Sequence, residues 1–74
     1  MLGSDHEIIL RELVKTGRCP LILEEVAATA SLSFERAWYA VLDLIEARFI
    51  SPSGIGLYDL TEEGKETARR LIAN

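Results

Sequence analysis

Apolar residues recur at helical spacing along most of the chain, and this pattern predicts its helices. The first predicted helix covers residues 5–16 and ends before Gly17, with Pro20 preventing any continuation. A capping-box pattern of Ser4 and Glu7 marks its start. One face of this helix is predicted to enter the core, and it is formed by Ile9, Leu10, Leu13 and Val14.

Two shorter elements are predicted after the first helix. Residues 20–23, "PLIL", begin with a proline and are too few for a helix, which indicates a brief extended segment. Residues 24–30 form a short helix that directs three small or β-branched side chains inward, namely Val26, Ala27 and Ala30. Ser33 then stands where it can cap the next helix.

A third helix is predicted over residues 34–47, "FERAWYAVLDLIEA". Projection at about 100° per residue gives it an inward arc and an outward arc. The inward arc consists of Phe34, Ala37, Trp38, Val41, Leu44 and Ile45. The outward arc consists of Glu35, Arg36, Tyr39, Asp43 and Glu46. Trp38 is therefore predicted to lie in the core, whereas Tyr39 faces out.

The C-terminal third of the chain predicts a hairpin and a last helix. Residues 49–52 and 56–60 are expected to be strands, joined by a glycine-containing turn over residues 53–56. Thr61 is the expected cap of the last helix, and Gly64 permits its close packing. Ala68, Leu71 and Ile72 share one side of that helix.

This order of elements predicts a fold of the α+β class, mainly α, with the topology of a winged helix-turn-helix. We expect a three-helix core, a short wing sheet of two or three strands, and a C-terminal helix. A chain of 74 residues has room for one small core, which predicts a single domain over residues 1–74.

Composition narrows the classes of function. Eight basic and twelve acidic residues give a net charge of -4, which disfavours generic phosphate binding. No apolar run approaches the roughly 18 residues of a membrane span, and a cytoplasmic location without membrane contact is expected. Cys19 is the only cysteine, so neither an internal disulfide nor a cysteine metal site is predicted.

Catalysis is not predicted. Ser4, Asp5 and His6 are consecutive, so their side chains diverge around a helical turn and cannot form a catalytic triad. His6 is the only histidine, and no set of convergent ligands for a metal is apparent. We predict no enzyme activity, no cofactor and no metal.

Residues 21–71 resemble winged-helix transcription regulators of the MarR and PadR groups. The resemblance rests on four segments: "LILEEVA" at 21–27, "ASLS" at 30–33, "LIEARFI" at 44–50 and "YDLTEEG" at 58–64. Three features depart from the regulators' pattern. Ile22 replaces a usual capping Thr or Ser, Arg48 replaces a usual glycine, and the wing tip "PSGIG" has no charge.

The resemblance implies DNA binding by residues 34–47 as a recognition helix, although the charge disfavours it. Its implied contacts, on bases or phosphates, are Ser33, Arg36, Tyr39 and Arg48. The alternative is a protein-interaction or dimerisation module without nucleic-acid binding, suited to a basic protein partner. Its surface would be Glu35, Tyr39, Asp43, Glu46 and Ile55. A homodimer would use apolar residues of the terminal helices, with Ile8, Leu71 and Ile72 as the candidates.

Overall fold

A computed structural model describes residues 3–73 and shows four helices and three strands. In chain order these are α1 (Ser4–Thr16), β1 (Leu21–Ile22), α2 (Leu23–Ala30), α3 (Phe34–Glu46), β2 (Ile50–Pro52), β3 (Leu57–Leu60) and α4 (Glu62–Ala73). The predicted order of elements and the winged-helix fold class are confirmed. None of the helices described is long and apolar enough to cross a membrane.

The wing sheet has three antiparallel strands in the order β1-β3-β2. Leu21 pairs with Tyr58 on one side of β3, and Ile50 pairs with Leu60 on the other. The segment at residues 20–23, predicted to be extended, thus contains β1, and this strand makes the wing sheet three-stranded. Pro52 ends the edge strand β2, where its missing N–H costs no ladder bond.

The start of α1 differs from the predicted capping box of Ser4 and Glu7. Gly3 is the N-cap, and its backbone N–H donates to Nδ1 of His6 at 3.0 Å. His6 is the third residue of the helix, and a side chain at that position can accept the backbone N–H of the N-cap. Gly3 is therefore the N-cap and Ser4 the first helical residue. The predicted end is confirmed, since Gly17 adopts the left-handed conformation with φ 61°.

The turn after α2 and the cap at Ser33 determine the direction in which α3 begins. Ser31 has φ 56°, and the N–H of Leu32 donates to the carbonyl of Ala27 at 3.0 Å, which closes α2 tightly. The Ser33 hydroxyl then accepts the backbone N–H of Arg36 at 3.3 Å, so the predicted cap of α3 is confirmed.

The C-terminal end of α3 is a Schellman motif. Phe49 N–H donates to the Leu44 carbonyl at 2.9 Å, and Arg48 N–H donates to the Ile45 carbonyl at 3.0 Å. Arg48 holds the left-handed position of the motif with φ 67°, a conformation that favours glycine. Arg48, where the regulators of similar pattern usually have glycine, is therefore under backbone strain.

The core lies between α1, α2 and α3 and is closed by the sheet and α4. Its fully buried large side chains are Ile9, Leu10, Leu13, Val26, Val41, Leu44 and Ile50. Ile8, a candidate dimer contact in the sequence, is half-buried against this core. Its burial follows from the packing of α1 against three other helices, which widens the buried arc of α1.

The predicted inward arc of α3 also requires a correction. Phe34 is 52% exposed and Trp38 is 37% exposed, whereas Ala40 is buried although the prediction did not include it. The buried arc consists of Ala37, Ala40, Val41 and Leu44, so it is turned toward Ala40 and away from Trp38. Phe34 and Trp38 lie beside this arc and remain at the surface.

The first turn of α4 packs through Gly64 against the backbone of Phe49, in the connection between α3 and β2. A Cβ atom added at Gly64 would lie 2.0 Å from the Phe49 carbonyl oxygen, so the predicted close approach is confirmed. Thr61 caps the helix as predicted, because its Oγ1 accepts the Gly64 N–H at 3.0 Å. Further along α4, Leu71 is half-buried, whereas Ile72 is 45% exposed despite the predicted shared side.

Candidate nucleic-acid interface

The outward face of α3 presents the five residues predicted for it. Glu35, Arg36, Tyr39, Asp43 and Glu46 are all exposed, and Tyr39 retains 65% of its accessible surface. Ser33 lies at the N-terminal end of this face and Arg48 just beyond its C-terminal end. The structure thus places all the implied DNA-contact residues on or beside one helix.

Arg36 is engaged within the protein. Its Nε donates to Oδ2 of Asp5 at 3.0 Å, and its second guanidinium nitrogen donates to Oδ1 at 2.5 Å. These hydrogen bonds raise the pKa of Arg36 and lower the pKa of the Asp5 carboxyl. The guanidinium group of Arg36, which could bind a guanine or a phosphate through two hydrogen bonds, is therefore already bound to the Asp5 carboxylate.

A second contact joins the start of α1 to α3. Nε2 of His6 lies 2.9 Å from Oδ2 of Asp43. Because Nδ1 of the same ring accepts the Gly3 N–H, the neutral ring carries its hydrogen on Nε2 and donates it to Asp43. His6, left without a role by the sequence reasoning, thus links the cap of α1 to the outward face of α3.

The basic residues near this face do not converge. Arg36 is held at the N-terminal end of α1 by Asp5, whereas Lys15 lies ten residues further along α1, roughly 15 Å away at 1.5 Å per residue. Lys15 itself pairs with Glu12 at 3.3 Å. Arg48 lies at the opposite end of α3 from Arg36, about 18 Å by the same rise. Arg36, Arg48 and Lys15 therefore do not form a common basic cluster beside α3.

The wing adds no positive charge. The N–H of Ser53 donates to the Leu57 carbonyl at 2.8 Å and closes the turn. Gly54 and Gly56 both have positive φ, and Ile55 between them is fully exposed. The wing tip therefore presents an apolar side chain where a cation would be needed to enter a minor groove.

A separate open pocket of about 300 Å³ lies between α1, β3 and α4. Its lining combines apolar, acidic and basic groups: Leu13, Val14, Gly17, Cys19, Asp59, Leu60, Lys65 and Arg69. Burial, with a smaller effect of Asp59, raises the pKa of the Cys19 thiol. No group of three or more His, Cys, Asp or Glu that could hold a metal occurs among the residues described.

Comparison with known proteins identifies the architecture. No protein-family model and no curated protein matches the chain. MepR, a transcription regulator of the Staphylococcus aureus multidrug efflux pump MepA, matches with a TM-score of 0.79 at 12% identity, over 97% of this chain and 56% of MepR. AF1382 from Archaeoglobus fulgidus matches with a TM-score of 0.71 at 16% identity, over 95% of this chain and 81% of that protein.

The chain thus spans little more than half the length of MepR. At these identities the likeness concerns the fold alone. The chain has the winged helix-turn-helix fold that it shares with MepR and AF1382.

Proposed function

We propose that this protein is a transcription-regulator-type DNA-binding domain that uses α3 as its recognition helix. The observation that carries the proposal is the match in fold to MepR, a transcription regulator, over 97% of this chain. The match supports the interpretation of α2, the turn at Ser31 and α3 as a helix-turn-helix unit. All four candidate contact residues lie on or beside α3.

The chemistry of each contact follows from its place. Ser33, at the positive end of the α3 dipole, suits a phosphate oxygen. Arg36 suits a guanine edge or a phosphate, and the exposed Tyr39 hydroxyl suits either a phosphate or a base acceptor. Arg48 extends the same surface toward the wing.

The charge distribution sets the expected strength of binding. Arg36 must leave Asp5 before it can contact DNA, and Glu35 and Glu46 lie on the same face and repel phosphates. If Arg36 and Arg48, the two cations that the described residues place on or beside α3, make the phosphate contacts, the slope of log affinity against log salt should be about -2 per domain. We infer weak, moderately salt-dependent binding, increased if two domains act as a dimer on paired half-sites.

The contact residues of such a dimer stay a prediction. Ile72 has the exposure that a contact requires, Leu71 is half-buried beside it, and Ile8 is largely taken up by the core. Ile72 is therefore the first residue to test in a dimer interface.

A binding selection tests the DNA proposal. Duplexes with a randomised centre are selected on the full chain at about 20 mM salt, where screening is weak, and the selected sequence is titrated by fluorescence anisotropy. Arg36→Ala should weaken binding at least about tenfold, since it removes a charged contact. Arg70→Ala serves as the matched control, because Arg70 is also exposed and ion-paired but lies on α4.

Two results would contradict the proposal. One is the absence of any enriched duplex or measurable binding at low salt. The other is an equal loss of affinity in both arginine variants, which would indicate nonspecific attraction rather than contact through α3.

A further inference from the structure

An apolar stripe runs along one flank of α3. Phe34, Trp38 and Leu42 are spaced four residues apart, so their side chains lie above one another on the helix surface. Their exposed fractions are 52%, 37% and 42%. We call these three residues the α3 stripe. A row of large apolar groups at the surface of a small domain is typical of an interaction site.

The residues beside the stripe are acidic or aromatic. Glu35, Tyr39 and Glu46 lie on the adjacent, fully outward part of α3, and neither glutamate forms an ion pair within the described residues. Arg36, the one basic residue of α3, is already bound to Asp5. The stripe is therefore bordered by uncompensated negative charge.

The negative charge of Glu35 and Glu46 determines which kind of partner can cover the stripe. A second copy packed antiparallel along α3 would bring Glu35 of each copy near Glu46 of the other, and a parallel pair would place like charges side by side. Both arrangements are unfavourable in a water-excluding contact. A helix with an apolar face bordered by Lys or Arg would instead cover the stripe and satisfy Glu35 and Glu46 together.

We propose that the α3 stripe is a docking site for a cationic amphipathic helix of another protein. The occupant would lay its apolar face on Phe34, Trp38 and Leu42 as one helix packed on another, with Trp38 as the main anchor and Tyr39 at the border of the contact. This inference goes beyond the proposed function and does not rest on it. A helix seated there would also compete with DNA for Tyr39.

Trp38 makes the proposal directly measurable, because it is the only tryptophan of the chain. The full chain is titrated with a synthetic helical peptide of about 18 residues, long enough to fold as a helix, that carries leucines on one face and lysines beside them. A matched peptide keeps the leucines and replaces the lysines by glutamates. We expect the lysine peptide to shift the Trp38 emission to shorter wavelength and to bind at least about tenfold more tightly.

Variants locate the binding. Leu42→Gln and Phe34→Ser should each weaken the lysine peptide about tenfold, because each removes apolar contact area. Ile72→Ser is the matched control, since it removes an equally exposed apolar side chain from α4 and should leave the affinity unchanged. The double variant Glu35→Gln, Glu46→Gln leaves the stripe and the fold intact, and it should bind the lysine and glutamate peptides about equally.

Three outcomes would overturn the proposal. Equal binding of both peptides by the unmodified chain would remove the charge argument. Equal affinities of the stripe variants and Ile72→Ser would place the peptide elsewhere. Self-association of the unmodified chain in sedimentation velocity, lost in Leu42→Gln, would show that a second copy covers the stripe. The peptide titrations contain no DNA, and Arg36→Ala leaves the stripe unchanged, so this proposal and the DNA proposal can fail separately.

Discussion

The Arg36 guanidinium of α3 and the Asp5 carboxylate of α1 form a two-point ion pair between residues 31 positions apart. The pair joins the first turn of one helix to the first turn of another. It also neutralises the single basic side chain on the outward face of α3. The same contact therefore supports the packing of α1 on α3 and restrains the residue best suited to bind DNA.

Replacement of Asp5 by Asn should increase DNA affinity through α3. The carboxylate competes with phosphates for Arg36, and an amide competes less because it carries no charge. We expect a several-fold increase in affinity for the selected duplex, measured by anisotropy at fixed salt. Glu63→Gln controls for net charge, since Glu63 is exposed on α4 and forms no ion pair among the described residues. An equal increase in both variants would show that only overall charge matters.

The Asp5–Arg36 pair should also make stability depend on pH. The hydrogen bonds from Arg36 hold the pKa of Asp5 below its ordinary value of about 3.9. A pKa that is lower in the folded state stabilises the fold above the unfolded pKa, and this contribution is lost as pH falls through the folded pKa.

Urea unfolding from pH 7 to pH 2 tests this linkage. The difference in midpoint between the unmodified chain and Asp5→Asn should be largest above about pH 5 and should shrink below about pH 4. Glu63→Gln, measured in parallel, controls for the loss of one exposed carboxylate that forms no ion pair among the described residues. A difference between the chain and Asp5→Asn that stays constant across this range would contradict the linkage.

Arg48→Gly should separate stability from DNA binding. Arg48 has φ 67°, where a side chain costs about 1 kcal/mol relative to glycine. We expect the free energy of unfolding to rise by about that amount, while affinity for the selected duplex falls because a cation is lost. Arg48→Ala keeps the backbone strain but removes the charge, so it should weaken DNA binding without the gain in stability.

Gly64→Ala should destabilise the fold strongly. The added Cβ would meet the Phe49 carbonyl oxygen at 2.0 Å, and because this is a backbone atom, no side-chain rotation can relieve the clash. We expect a loss of about 3 kcal/mol in the free energy of unfolding, the upper end of the usual cost of overpacking. Glu63→Ala, at the neighbouring exposed position of α4, should change the free energy by less than about 0.5 kcal/mol.

The elements of this fold could be predicted from local signals. Ser33 and Thr61 cap helices where the sequence places them, and Gly17 ends α1 in the left-handed conformation. Such signals act within a few residues, because capping hydrogen bonds join positions two or three apart. The cap of α1 was predicted wrongly since two local acceptors, Glu7 and His6, compete for one turn.

The character of the α3 surface could not be predicted in the same way. Periodicity assigned Phe34 and Trp38 to the core because they are apolar, whereas the structure leaves them exposed. Which apolar residues are buried depends on which side of α3 the neighbouring elements contact, and the buried Ala40 shows that this side is turned away from Phe34 and Trp38.

By itself, the sequence determined the order of the elements, the caps of α3 and α4, the end of α1 and the outward direction of Tyr39, since these depend on hydrophobic period and local capping. The tertiary structure alone decided that Arg36 is bound to Asp5 and that His6 reaches Asp43, because these contacts join residues 31 and 37 positions apart. A spacing pattern carries no information about such pairs, which form only when the packing of α1 against α3 brings their side chains together.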